Sequence, residues 1–122
     1  MVNGVENVVL IRDEVGGVEL ENVREVTEDV LEEMGFENVE FSVVFVDSLQ
    51  ARRLNEEYRK MDYVPQVLAF PMSRKTDKDG LVRLGDVVIC VEEWNEEVER
   101  FRKEKMKVLK EWIKHGIRNL LK

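Results

Sequence analysis

The sequence predicts an α+β protein, a two-layer sandwich in which a mixed four-stranded sheet is covered by about four helices. Apolar and amphipathic segments follow one another in the order strand, helix, strand, helix, strand, strand, helix, helix. No repeat, low-complexity run or proline-rich linker divides the 122 residues, so residues 1–122 are expected to form a single domain. A hydrophobic content of 43% suits one buried core.

Each segment is assigned from its hydrophobic period, which is two residues in a strand and 3.6 in a helix. Val39–Val46 is polar on one face at its start and apolar on both at its end, which predicts a central strand. Val67–Phe70 is followed by Pro71, which has no amide proton to donate, so this strand is predicted at an edge. The helices are expected to cover mainly one face of the sheet. The segments are the strands Val5–Ile11, Val39–Val46, Val67–Phe70 and Leu84–Cys90, and the helices Leu20–Met34, Ser48–Lys60, Val91–Arg102 and a longer last helix containing Leu109, Trp112 and Ile117.

The charge is distributed unevenly along the chain. The net charge of -7 argues against unspecific electrostatic binding to nucleic acid. Residues 1–47 contain thirteen acidic residues and two arginines, whereas residues 100–122 contain nine basic and two acidic residues. Two interpretations remain open: the two ends pack side by side and neutralise each other, or the basic end contributes to a groove for RNA.

The remaining composition predicts a soluble cytoplasmic protein. Cys90 is the only cysteine, which excludes an internal disulfide, and no cluster of cysteine and histidine indicates structural zinc. The N-terminus lacks the pattern of a signal peptide, and no run of about 18 apolar residues predicts a membrane span.

Three motifs in a fixed order carry the information on function. Residues 54–59 read LNEEYR, Asp62 precedes VLAFP at residues 67–71, and residues 84–89 read LGDVVI. In this order and spacing they resemble the YbeY family of rRNA-maturation factors, whose pattern runs LNxxYR, a nearby Asp, VLSFP and LGDIxI. The resemblance implies a zincin-like fold and a metal-dependent endoribonuclease that acts on single-stranded RNA, including ribosomal RNA precursors. The partners it implies are the small ribosomal subunit and the GTPase Era.

The resemblance continues into the last predicted helix. The family's motif HGxLHLxGYDH supplies three histidines that hold a catalytic zinc. Residues 115–122 read HGIRNLLK, so His115 occupies the first ligand position, Asn119 the second, and the third falls beyond Lys122. The chain as written is therefore expected to be truncated within the motif, to bind no zinc and to be catalytically impaired, because one imidazole cannot replace three.

His115 also has a simpler interpretation, as a histidine near a helix C-terminus that interacts with the helix dipole or a carboxylate. Gly116 favours a remnant of the metal site. Glycine inside a helix costs about 1 kcal/mol relative to alanine, and close packing of the helix on a strand would require it.

Four further residues are candidates by resemblance. Arg59 matches the arginine that contacts a phosphate and offsets its charge, although it could equally be a surface residue. Asp86 could orient a ligand through a hydrogen bond or cap a turn. Ala69 replaces the serine before Phe70, so the polar groups of the substrate-binding edge strand are altered.

Three hypotheses follow from these residues. The first is a YbeY-like domain, cytosolic and monomeric or weakly dimeric, with an incomplete metal site. The second is a non-catalytic scaffold, either degenerate or engineered, and the third is a binding module that retains the contacts with the ribosome. A zinc protease is disfavoured because the sequence has no HExxH helix.

Overall fold

The structure, a computed structural model that describes residues 6–122, contains eight elements in the predicted order. The predicted α+β class, with four helices and a mixed four-stranded sheet, is confirmed. The first strand begins at Val8; the predicted start at Val5 lies outside the described residues. The elements are β1 (Val8–Asp13), α1 (Leu20–Glu33), β2 (Val39–Val46), α2 (Ser48–Arg59), β3 (Val67–Pro71), β4 (Val82–Cys90), α3 (Val91–Phe101) and α4 (Lys105–Leu120).

The four strands lie in the order β1-β2-β4-β3. Strand β2 pairs in parallel with both β1 and β4, whereas β3 is antiparallel to β4. The predicted central position of β2 and the predicted edge position of β3 are both confirmed. Pro71 ends β3 opposite Gly85, at the end of this edge strand, where the missing amide proton is tolerated.

The two faces of the sheet are covered unequally. Helices α1, α3 and α4 pack on one face, where Phe41, Val43 and Phe45 of β2 are fully buried. Helix α2 alone packs on the other face, against Val44 and Val46. The expectation that the helices cover mainly one face is confirmed, and β2 is apolar on both sides because both sides are buried.

The two oppositely charged ends of the chain meet on the side of the main core. Helix α1 packs against α4, and the carboxylate of Glu33 lies 2.7 Å from Lys110 Nζ and 3.2 Å from Lys114 Nζ. Hydrogen bonds from these two ammonium groups hold the pKa of Glu33 below its usual value. The predicted side-by-side packing of the acidic and basic ends is therefore present.

A β-bulge shapes the strand that supports α4. The pairing of β4 with β2 shifts by one residue between Glu40 and Phe41, so that Leu84 is the extra residue. Leu84 is buried on the same side of the sheet as Val87 and Ile89, which strict alternation would not allow.

No helix within residues 6–122 is long and apolar enough to cross a membrane.

Candidate functional site

The predicted residues Arg59 and His115 lie on opposite walls of one open groove. The groove has a volume of about 670 Å³ and runs along the outer side of the β3 edge. Its first wall is the end of α2 with the loop that leads to β3, and its second wall is one face of α4. The lining residues are Arg59, Tyr63, Val64, Pro65, Gln66 and Val67 on the first wall and Glu111, Trp112, His115 and Arg118 on the second.

The position of Arg59 depends on a buried asparagine one helical turn earlier. Asn55 has no exposed surface; its Nδ2 donates to the carbonyl oxygen of Tyr63 at 3.1 Å. Its Oδ1 accepts from Arg59 Nη1 at 3.2 Å, and the same nitrogen lies 3.3 Å from the Tyr63 hydroxyl. Asn55 thus ties the end of α2 to the following loop and holds the guanidinium at the groove wall.

Helix α4 presents Glu111, His115 and Arg118 to the groove because residues three and four apart share one helix face. Next to them, Gly116 lies directly against the sheet. A Cβ at this position would come within 2.6 Å of Val87 Cγ1 and 3.3 Å of Val67 Cγ1. The close packing of helix on strand that the sequence predicted for Gly116 is confirmed. It brings His115 to the edge of the sheet, where its side chain is exposed.

Asn119 follows His115 by one turn of α4 and is half-buried. It is not among the residues that line the groove, and its backbone carbonyl accepts from the amide of Lys122 at 3.4 Å. Asn119, which occupies the position of the motif's second histidine, therefore lies nearer the C-terminal end of α4 than His115 and outside the groove lining.

Asp86 and Phe70 lie on the other face of the sheet. Both line a second groove, of about 480 Å³, together with Tyr58 of α2. The structure does not bring Asp86 together with His115, because alternation along β4 turns Val87 toward α4 and Asp86 toward α2. Phe70 instead packs against Tyr58, with ring centroids 5.1 Å apart. Ala69 faces the α4 side, half-buried against the main core.

Comparison with known proteins identifies the family. The family model described as Endoribonuclease YbeY matches residues 11–121. The chain belongs to the YbeY family. The match spans both walls of the groove and all three motifs of the sequence.

Relatives within the YbeY family are similar over nearly the whole chain. The Endoribonuclease YbeY of Aquifex aeolicus is 34% identical over 116 residues, which cover 95% of this chain and 76% of that protein. The Endoribonuclease YbeY of Persephonella marina is 32% identical over 121 residues, with 94% and 76% covered. The solution structure of the protein TM1509 from Thermotoga maritima has a TM-score of 0.65 and 26% identity, covering 94% of this chain and 73% of its own.

The residues described here do not fit the three-histidine zinc site that the YbeY resemblance implies. Among residues 6–122, no three histidine, cysteine, aspartate or glutamate side chains are grouped closely enough to hold a metal ion. One turn after His115, Asn119 offers only an amide oxygen, and zinc prefers imidazole, thiolate and carboxylate ligands. This donor set supplies one strong ligand where a zinc site needs three.

Three residues at the groove were not singled out from the sequence. Asn55 stands within the LNEEYR motif four residues before Arg59, so the helical spacing between them was the available signal. Arg118 follows His115 by three residues and therefore shares its helix face. Tyr63 lies in an irregular loop, where no periodicity predicts which way a side chain points.

Replacing Asn55 with alanine tests its organising role. Asn55→Ala removes the donor to the Tyr63 carbonyl and the acceptor for Arg59, and a lost buried hydrogen bond costs about 1–3 kcal/mol. The free energy of unfolding in urea should fall by that amount. Asn22→Ala, which removes an exposed asparagine whose side chain donates to Glu19, is the control and should change stability little. Equal losses in the two variants would contradict the role assigned to Asn55.

Proposed function

We propose that this chain binds single-stranded RNA in the groove between α2 and α4, as a YbeY-family domain whose metal-dependent cleavage is impaired. The observation that carries the proposal is the guanidinium of Arg59, which Asn55 and Tyr63 hold at the groove wall. Within residues 6–122, Arg59 forms no salt bridge that would neutralise its charge.

The chemistry of the groove suits a phosphodiester. An arginine side chain presents planar, paired donors that match two phosphate oxygens, and holding it in one orientation lowers the entropy lost on binding. Phosphate contacts supply most of the affinity of proteins for single strands and do not depend on base sequence. RNA is favoured as the ligand because the relatives are named Endoribonuclease YbeY.

The impaired cleavage follows from the ligand set. The three histidines of the family motif would hold a zinc ion, which would supply the activation of water for phosphodiester hydrolysis. In this chain only His115 of that set is present among the described residues, and the side chain at the second position is that of Asn119. We further propose that residues 1–122 act as one cytoplasmic domain, monomeric or weakly dimeric, on RNA of the small ribosomal subunit.

The test combines RNA binding with RNA cleavage. Fluorescence anisotropy with a labelled single-stranded RNA should detect binding that weakens as salt is raised. Arg59→Ala should weaken binding about tenfold, which corresponds to about 1.4 kcal/mol. Cleavage of the same RNA should remain at background with or without added zinc.

Arg53→Ala is the matched control, since Arg53 is also an exposed arginine of α2 but does not line the groove. It should bind RNA as the unmodified chain does. An absence of RNA binding, or equal effects of the two substitutions, would refute the proposed site. Zinc-dependent cleavage by the unmodified chain would refute the proposed impairment.

A further inference from the structure

The groove contains a second guanidinium that the motifs do not account for. Arg118 lies on the α4 wall, opposite Arg59 and one turn from His115. In the family motif HGxLHL its position carries leucine, and the next position carries the histidine that Asn119 replaces. At the point where the motif specifies a metal ligand, this chain thus has one ligand fewer and one cation more.

The charges around Arg118 leave it available to an anion. Among the described residues that line the groove, Glu111 is the only acidic one, against Arg59 and Arg118. Within the described part of the chain, Arg118 forms no salt bridge, whereas Lys110 and Lys114 of the same helix are both paired with Glu33. Helix α4 therefore has a side toward α1, where Glu33 neutralises its two lysines, and a side toward the groove, where Arg118 has no ion-pair partner among the described residues.

The size of the groove also fits a nucleotide. About 670 Å³ lies within the range of roughly 300–1,000 Å³ that small-molecule sites occupy. Tyr63, which is 48% exposed, adds aromatic surface to the first wall, and such a surface accepts bases without regard to sequence. Guanidinium groups on opposite walls can contact successive phosphates of one strand.

We propose that Arg118 and Arg59 form a two-arginine phosphate site, which anchors the backbone of single-stranded RNA without a metal ion. This inference rests on the proposed function and adds a residue to it. In this chain α4 contributes a guanidinium to the groove lining. RNA binding should consequently be independent of zinc and of chelators.

The experiment compares the unmodified chain with Arg118→Leu, which introduces the residue of the family motif. The probe is a fluorescein-labelled oligouridylate of about ten nucleotides, within the usual span of single-strand sites. We expect the unmodified chain to bind equally with EDTA and with zinc. Arg118→Leu should weaken binding about tenfold and lower the salt dependence by about one phosphate contact.

Two controls separate binding from structure. Arg53→Leu makes the same change of charge outside the groove and should leave binding unchanged. Arg118→Lys retains a cation near the helix C-terminus, so its thermal midpoint should equal that of the unmodified chain. Because lysine lacks the paired donors of a guanidinium, Arg118→Lys should still weaken RNA binding.

The outcomes distinguish this inference from the proposed function. Binding that EDTA abolishes, or that Arg118→Leu leaves unchanged, would overturn the two-arginine site while RNA binding itself stands. If no RNA binds, inorganic phosphate is titrated while the arginine Nε–H signals are followed by NMR. Shifts that are lost in Arg118→Leu would support the anion site and refute RNA as its ligand. No shift would overturn both.

Discussion

Gly85→Ala is expected to cause a large loss of stability. Gly85 has φ +129°, a conformation that residues with a side chain rarely adopt. A Cβ there would overlap the carbonyl oxygen of Phe70 and lie 3.0 Å from Pro71 Cα. Backbone strain of about 1–3 kcal/mol and overpacking of about 1–3 kcal/mol predict a combined loss of about 2–6 kcal/mol.

The contacts of Gly85 explain why relaxation is limited. The nearest atoms belong to the backbone of β3, and Leu120 Cδ2 of α4 lies 3.1 Å from the same point. Moving β3 away would break its pairing with β4 and open the edge along which the groove runs. Equilibrium unfolding in guanidinium chloride, followed by the fluorescence of the tryptophans, measures the effect.

Gly80→Ala is the matched control for the steric contribution. Gly80 also has positive φ, +83°, but an added Cβ would meet nothing within 4 Å. Its replacement should therefore cost only the backbone term, about 1 kcal/mol. Equal losses at the two positions would show that the close approach of β3 to Gly85 contributes nothing.

The β-bulge at Leu84, next to Gly85, marks the limit of what the sequence predicts about this fold. The order of the eight elements, the central β2 and the edge β3 follow from hydrophobic period and from Pro71, because these are local properties. The side to which each residue of β4 points is not local. Leu84 and Val87 are buried on one side of the sheet only because the bulge at Leu84 interrupts the alternation of β4. Asp86 thereby faces the second groove.

The candidate site likewise combines residues that the sequence predicts with residues that only the fold reveals. Arg59 and His115 were predicted from motifs far apart in the chain, and the fold brings them to one groove. The residues that complete the groove, Asn55, Tyr63 and Arg118, depend on tertiary packing. Asn55 is recognisable as an organiser only when its burial and its two hydrogen bonds are known, since an asparagine in a helix is ordinarily exposed.

Completing the family motif is expected to convert the chain into a zinc-binding protein. The changes are Asn119→His and Lys122→Gly, followed by the appended residues Tyr-Asp-His. The substitution at 119 puts a second imidazole one helical turn from His115, and the appended residues supply a third after a glycine turn. The free energy of zinc binding at small structural sites is about 10–16 kcal/mol when several ligands act together, so even a strained site should retain zinc.

Elemental analysis after dialysis should give about one zinc per completed chain and far less than one per unmodified chain. The matched control carries the same extension but retains Asn119, which leaves the ligand set incomplete. A second control, His115→Ala in the completed chain, should lose the metal. Equal zinc in the completed chain and the Asn119 control would contradict the assignment of position 119 as the missing ligand.

Cleavage of single-stranded RNA by the completed chain separates the metal from the substrate contacts. If zinc is bound and RNA is cut, the donor set alone accounts for the impairment proposed for the unmodified chain. If zinc is bound but RNA remains intact, two differences from the family motif remain on the same side of the sheet. Ala69 lacks the hydroxyl of the motif serine, and Arg118 adds a cation beside the ligands. Ala69→Ser and Arg118→Leu in the completed chain then identify which of the two limits cleavage.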